Sequence, residues 1–262
     1  MKQKIYFVDA FAEKLFCGNP AGVCITDHAL PEALMQQVAA ENNLSETAFA
    51  VKEGDGFIIR WFTPKVEVKL CGHATLATSH VIFNHTDYNK DVIKYSSVSS
   101  GILTVKRKDD LLILNFPADT MHEEEAPEGL IEGLGAIPKE IYKGKSDYLL
   151  VFENQEVIEG LKPDFGKLLK VLVRGVIVTA KGNDCDFVSR FFAPCVGVNE
   201  DPVTGSAHTS LIPFWSKRLN KTDLLAKQIS ERGGVLYCSN LNDRVEIGGK
   251  AITYLVGEID IN

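Results

Sequence analysis

The chain repeats itself once, and that constrains its fold more than any other feature. Arg60-Trp61-Phe62-Thr63-Pro64 returns 130 residues later as Arg190-Phe191-Phe192-Ala193-Pro194. Gly72-His73-Ala74-Thr75 has its counterpart in Gly205-Ser206-Ala207-His208, eight residues after the first proline and eleven after the second. Two matches in the same order point to a duplicated unit and so to two similar domains. In each copy two β-rich runs flank a Gly/Asn/Asp turn, which predicts a hairpin: 47–51 with 57–62, and 176–179 with 187–192.

A Pro-containing loop, a glycine and a helix-like run follow each hairpin. The first such helix is apolar on most sides through Ala74, Leu76, Ala77, Val81 and Ile82, as a helix enclosed by sheet requires. Its copy carries Pro213, which is expected to end or kink it. A conventional amphipathic helix precedes the first hairpin, with Pro31 near its first turn, Leu34, Met35 and Val38 on one face, and Asn42-Asn43 at its end. The expected fold class is α+β: two similar domains, each a curved, largely antiparallel sheet wrapped around a central helix. The boundaries expected are 1–116 and 117–250, with 251–262 a candidate final strand of the first domain.

Composition narrows the function. With 28 Lys+Arg against 35 Asp+Glu the net charge is −7, and the longest basic run, Lys106-Arg107-Lys108, meets Asp109-Asp110 at once. That reads as a solvated turn between strands, so no nucleic-acid partner is expected. Charges interrupt the N-terminal apolar stretch at Asp9 and Glu13, and no uncharged run reaches the length that spans a bilayer. A cytoplasmic protein without membrane contact is expected. Six cysteines without CxxC spacing read as free thiols. The six histidines show neither HExxH nor paired ligand spacing, and no GxGxxG or P-loop is present, so neither metal nor cofactor is expected.

Candidate chemistry gathers at few positions. Glu46 opens a strand otherwise uncharged as far as Val51, where a buried and unpaired carboxylate would be costly. Folding the hairpin about Asp55 sets it opposite residue 64, and counting back from Arg190 lands its counterpart on Val176, so only one half supplies a carboxylate. Alone, Glu46 reads first as a strand-end residue facing water. The helices beginning at Gly72 and Gly205 present N–H groups without intrahelical partners; Ser206 adds a hydroxyl at an N-cap-like position. If the domains face each other, the two helix starts make a site for a carboxylate ligand, and Glu200 and Asp201 lie in the extra loop beside the second start. Cys71 reads as a buried small hydrophobe or as a base activated at a helix N-terminus. The equivalent stretch of the second half has no cysteine, so symmetric two-thiol chemistry is unavailable.

Taken together, Val8-Asp9-Ala10-Phe11, Gly18-Asn19-Pro20-Ala21-Gly22, Leu44-Ser45-Glu46-Thr47, Leu70-Cys71-Gly72-His73-Ala74-Thr75 and Glu200-Asp201-Pro202-Val203-Thr204-Gly205-Ser206-Ala207 resemble the phenazine-biosynthesis PhzF-like isomerases. The resemblance implies the diaminopimelate epimerase-like fold, a cofactor-free isomerase with its site between two domains, and a homodimer. It implies Glu46 as general acid/base, with His73, Asp201 and Ser206 assisting in binding and proton transfer.

The expected reaction moves a proton between carbons of a small carboxylate-bearing metabolite, with Gly72, Gly205, Ser206 and His73 holding the anion. A single base can remove a proton and return it on the same face of a π system, whereas a racemase normally needs a base on each face. Two other readings stay open: a racemase or epimerase that uses Cys71 with a carboxylate, and a non-catalytic binding protein for an anionic metabolite.

Overall fold

In the computed structural model, which describes residues 2–98 and 101–261, the chain divides into two units. One comprises the described residues to Asn115 together with those from Gly248; the other is Phe116–Ile247. The first unit runs β1 (Lys2–Ala10), β2 (Asn19–Thr26), α1 (Glu32–Asn42), β3 (Glu46–Glu53), β4 (Gly56–Phe62), β5 (Glu67–Val68), α2 (Gly72–His85), β6 (Val92–Ser97), β7 (Gly101–Lys108) and β8 (Leu111–Pro117). The second runs β9 (His122–Glu123), α3 (Leu130–Leu134), β10 (Glu140–Lys143), β11 (Asp147–Val151), α4 (Gln155–Gly160), α5 (Phe165–Leu168), β12 (Gly175–Lys181), β13 (Phe187–Ala193), a 3-10 turn Pro194–Val196, β14 (Val198–Glu200), α6 (Gly205–Leu219), β15 (Asp223–Gln228), β16 (Gly234–Asn240) and β17 (Arg244–Gly249). The last strand, β18 (Ala251–Asp260), pairs antiparallel with β1.

The duplication is visible in the strand pairing. Most neighbours in the first unit are antiparallel, but β2 pairs parallel with β3 and β4 parallel with β6. In the second unit β11 with β12 and β13 with β15 are the parallel pairs. A parallel pair cannot be joined by a tight turn, so each of these four crossings carries helix: α1, α2, α4 with α5, and α6.

In the first unit, α2 packs against β1, β2, β3 and β18 and buries every residue from His73 to Phe83 except His80. Its polar residues survive there because their hydroxyls bond back along the helix: Thr75 to the Cys71 carbonyl at 2.6 Å, Thr78 to Ala74 at 2.7 Å and Ser79 to Thr75 at 2.8 Å. Met35, Val38 and Ala39 of α1 join Ile5, Cys24, Phe49 and Phe62 in a separate core cluster. The second unit centres a core on Leu130, Leu150, Ile158, Val178 and Phe192.

The repeated Arg–aromatic–Phe sequence has a structural cause. Arg60 forms a two-pronged pair with Glu67 at 2.7 Å on both prongs, and its guanidinium lies 5.1 Å from the Phe62 ring centre. Arg190 does the same with Glu200, at 2.7 and 2.9 Å, and lies 5.0 Å from the Phe192 ring centre. Glu67 and Glu200 occupy the same register position, opposite Phe62 and Phe192. Glu200 is therefore committed to Arg190 and is not the ligand-facing acid that its loop suggests.

Two expectations are corrected here. Helix α6 does not end at Pro213 but continues to Leu219. Proline removes the N–H that would bond the Thr209 carbonyl, but the Asp119 N–H takes its place at 3.1 Å, and an Asp119 carboxylate oxygen accepts the Ser210 hydroxyl at 3.0 Å. The hairpin register also differs by one. Thr47 pairs with Phe62, so the two-residue turn is Gly54-Asp55 and Glu46 falls opposite position 63 rather than 64. Val176 pairs with Phe192, which makes Gly175, not Val176, the counterpart of Glu46.

Candidate active site

In the first unit, Glu46, Cys71 and His73 come together. Glu46 is the first residue of β3, placed by its parallel pairing with Ala21 of β2. That pairing needs close backbone approach: a Cβ on Gly22 would lie 2.9 Å from Thr47 Oγ1, which itself accepts a hydrogen bond from the Asn42 amide at 3.1 Å. Asn43 ends α1 in the left-handed region, with φ of 49°, and turns the chain into β3. Gly18 has φ of +74°, and a Cβ there would lie 2.2 Å from the Ala10 carbonyl oxygen. These contacts account for Gly18 and Gly22 and for Asn42-Asn43 before the glutamate.

Cys71 is the N-cap residue of α2 and His73 its second residue, both buried. Glu46 Oε2 lies 3.1 Å from His73 Nε2, while Cys71 Sγ lies 3.6 Å from Nδ1 and 3.9 Å from Nε2 of the same ring. The Glu46–His73 contact is close but not aligned as a hydrogen bond, so Oε2 is a buried acceptor with its lone pairs uncommitted. Burial alone would push the His73 pKa down. The Cys71 sulfur and the Glu46 charge outweigh it and hold the imidazole well above its usual value. Burial, then the Glu46 charge, pushes the Cys71 thiol up. The raised imidazole pKa favours an imidazolium beside the Glu46 side chain. The Ala74 N–H of the first turn interacts with the Cys71 sulfur, and the N–H groups of Gly72 and His73 at the start of α2 have no intrahelical acceptor.

In the second unit, α6 begins without a side-chain cap. Thr204 is its N-cap, where the first unit has Cys71, and Ser206 is its second residue, where the first has His73. Ser206 is thus inside the helix, not at the cap, and is exposed. Thr204 donates to an Asp201 carboxylate oxygen at 2.5 Å. Buried Gln228 secures this loop: its carbonyl oxygen accepts the Thr204 N–H at 2.8 Å, and its amide donates to the Asp201 carbonyl at 2.7 Å.

Sequence reasoning missed Gln228, and it missed Arg174. Arg174 pairs through two prongs with buried Asp147, and its guanidinium nitrogens lie 3.3 and 3.4 Å from Ser206 Oγ. The Glu46 counterpart, Gly175, admits no side chain, since a Cβ would meet Phe191 at 2.1 Å and Asp147 at 2.9 Å. Such pairings leave no periodic trace in a sequence. The Glu46–Cys71–His73 donor group, with ligand atoms all within 4.8 Å of one another, was equally hidden because its members are 25 and 2 residues apart.

A family model described as phenazine biosynthesis-like protein matches residues 8–257. An uncharacterized isomerase of Pseudomonas aeruginosa is 48% identical over 262 residues, covering all of both chains. A phenazine biosynthesis protein of the PhzF family from Enterococcus faecalis has a crystal structure similar to this one, with a TM-score of 0.97 at 46% identity over the full length of both. The fold extends to a hydroxyproline epimerase from Agrobacterium vitis, with a TM-score of 0.60 at 10% identity over 98% of this chain and 92% of that one. Among the described residues no helix is long and apolar enough to cross a membrane.

Proposed function

The chain belongs to the phenazine biosynthesis-like (PhzF) family and is an isomerase; from that premise we propose that Glu46 is its general acid/base and moves a proton between carbons of a small unsaturated carboxylic acid. The observation that carries this is the contact at 3.1 Å between half-buried Glu46 and buried His73. A carboxylate oxygen with uncommitted lone pairs is poised to take a proton from carbon. The neighbouring imidazolium is a donor for the negative charge that then develops, and the N-terminus of α2 supports the same charge.

Return of the proton by the same carboxyl on the same face completes an isomerisation without a second base. Gly175, where Glu46 has its counterpart, supports this one-base reading. The thiol reading is less well supported, because burial and the Glu46 charge keep Cys71 protonated and Thr204 stands at the matching position of the second unit. Asp201 and Ser206 are assigned supporting roles in substrate binding and proton transfer, with Arg174 beside Ser206 as a further anion-binding group.

The test is deuterium incorporation from D2O into a panel of small unsaturated carboxylic acids, followed by NMR. Glu46→Gln keeps the size of the side chain but cannot shuttle a proton, and it is expected to slow exchange by at least ~100-fold. Exchange within tenfold of wild type removes Glu46 from the role. Binding of an acid without any exchange favours the binding-protein reading instead.

A further inference from the structure

We propose that Glu46, Cys71 and His73 form a binding site for zinc or a similar thiophilic divalent cation, and that its occupation switches the enzyme off. Three donors of three kinds, a carboxylate oxygen, a thiol sulfur and an imidazole nitrogen, all lie within 4.8 Å of one another. The separations suit a tetrahedral ion. With Zn–S of about 2.3 Å and Zn–N and Zn–O of about 2.0–2.1 Å, tetrahedral edges are roughly 3.3 Å for N···O and roughly 3.5 Å for S···N. The structure has 3.1 Å from His73 Nε2 to Glu46 Oε2 and 3.9 Å from Nε2 to Cys71 Sγ. Shifts of a few tenths of an ångström at His73, and of at most roughly 1.3 Å between the Cys71 sulfur and the Glu46 oxygen, bring one nitrogen, one oxygen and the sulfur onto a common ion.

The donor set also suits the ion's charge. Binding releases one proton from the Cys71 thiol and one from the His73 imidazolium to solvent, leaving thiolate, carboxylate and neutral imidazole around a dication. Glu46 Oε2 is already without a hydrogen bond that the metal would have to break. Three protein ligands leave a fourth position for water or an anion, the open arrangement of zinc sites that exchange ligands. No change of oxidation state is involved. Binding itself is independent of the catalytic reading; only the loss of activity rests on Glu46 being the base, because a metal-bound carboxylate has surrendered the lone pair that would take the proton.

The experiment is titration of the full chain with Co2+ alone, read by the thiolate-to-cobalt charge-transfer absorption, followed by displacement with Zn2+. One equivalent of cobalt is expected to produce the band and one equivalent of zinc to abolish it. Cys71→Ser is expected to eliminate the band, although five other cysteines remain. Glu46→Gln is expected to keep the band but to weaken zinc binding by at least ~10-fold, the lower range for disturbing a metal's surroundings. Circular dichroism and melting checks confirm that each variant is folded. Absence of the band in wild type, or its persistence in Cys71→Ser, overturns the site. If the band behaves as expected but zinc leaves deuterium exchange unchanged, the site stands and the assignment of Glu46 as base falls.

Discussion

His208 makes a prediction whose size can be worked out. It lies in α6 with no exposed surface, its ring centre 5.9 Å from that of Phe187, and its Nδ1 is 2.8 Å from the Thr204 carbonyl oxygen. Because a carbonyl only accepts, Nδ1 carries the proton and Nε2 is a bare, buried acceptor. Burial pushes the pKa down from 6.5 to about 4, so the folded chain keeps the ring neutral where the unfolded chain protonates it. The unfolded state binds the extra proton between these values. The contribution to stability is therefore complete above about 6.5 and is lost as pH falls toward 4. At pH 5 the interval of about 1.5 units, at 1.36 kcal/mol per unit, corresponds to a loss of about 2 kcal/mol. His208→Gln removes this titration, and any packing defect it introduces is the same at both pH values. His80, also pushed down to about 4, titrates identically in both proteins and cancels. Urea unfolding at pH 7.5 and pH 5 is the assay. Wild type is expected to lose about 2 kcal/mol more than the variant on acidification, and equal losses would refute the account of a neutral buried imidazole.

Two further outcomes follow from pairs described above. In wild type the His73 imidazole signals in an NMR titration should stay in the protonated position above pH 7, and Glu46→Gln should bring the transition down, since burial then meets less opposing charge; an unchanged midpoint would mean that Glu46 does not hold the proton there. Arg190→Ala should cost about 3 kcal/mol, because it strands Glu200 and the Ile158 and Leu161 carbonyls in a half-buried setting, whereas Arg60→Ala, on a more exposed pair, should cost about 1 kcal/mol. Equal shifts of the urea midpoints would contradict that ranking.

The duplication, the hairpins and the enclosed α2 were legible because each leaves a local trace: a repeated pentapeptide, a turn dipeptide, an unbroken run of small apolar residues. Glu46 stood out for the same reason, as a charged group in a run that otherwise lacks one, whereas His73 was marked only by the resemblance of its Gly-His motif. The missing part is what distant residues do for one another. Pro213 reads as a breaker until Asp119, almost a hundred residues earlier, supplies the N–H that its own ring lacks. Glu200 reads as an acid awaiting a ligand until the β13–β14 pairing brings it to Arg190. The counterpart of Glu46 was misplaced by one residue because the second hairpin turns over five residues, 182–186, against two at Gly54-Asp55, and has one ladder pair fewer. The Arg174–Asp147 pair spans a parallel crossing whose helices are too short to announce themselves.

The pairing of β18 with β1 sets an order on how the polypeptide can mature. Residues 116–247 form a compact unit with a core of its own, which does not wait on the last strand. The first unit has to wait: β1 is made well before residues 251–260, its partner on one edge. Through most of synthesis β1 offers an unpaired row of backbone groups, the kind of edge on which chains add to one another. The alternating lysines Lys2 and Lys4 along that strand supply charge that discourages such growth until Glu258 and its neighbours arrive to cover it.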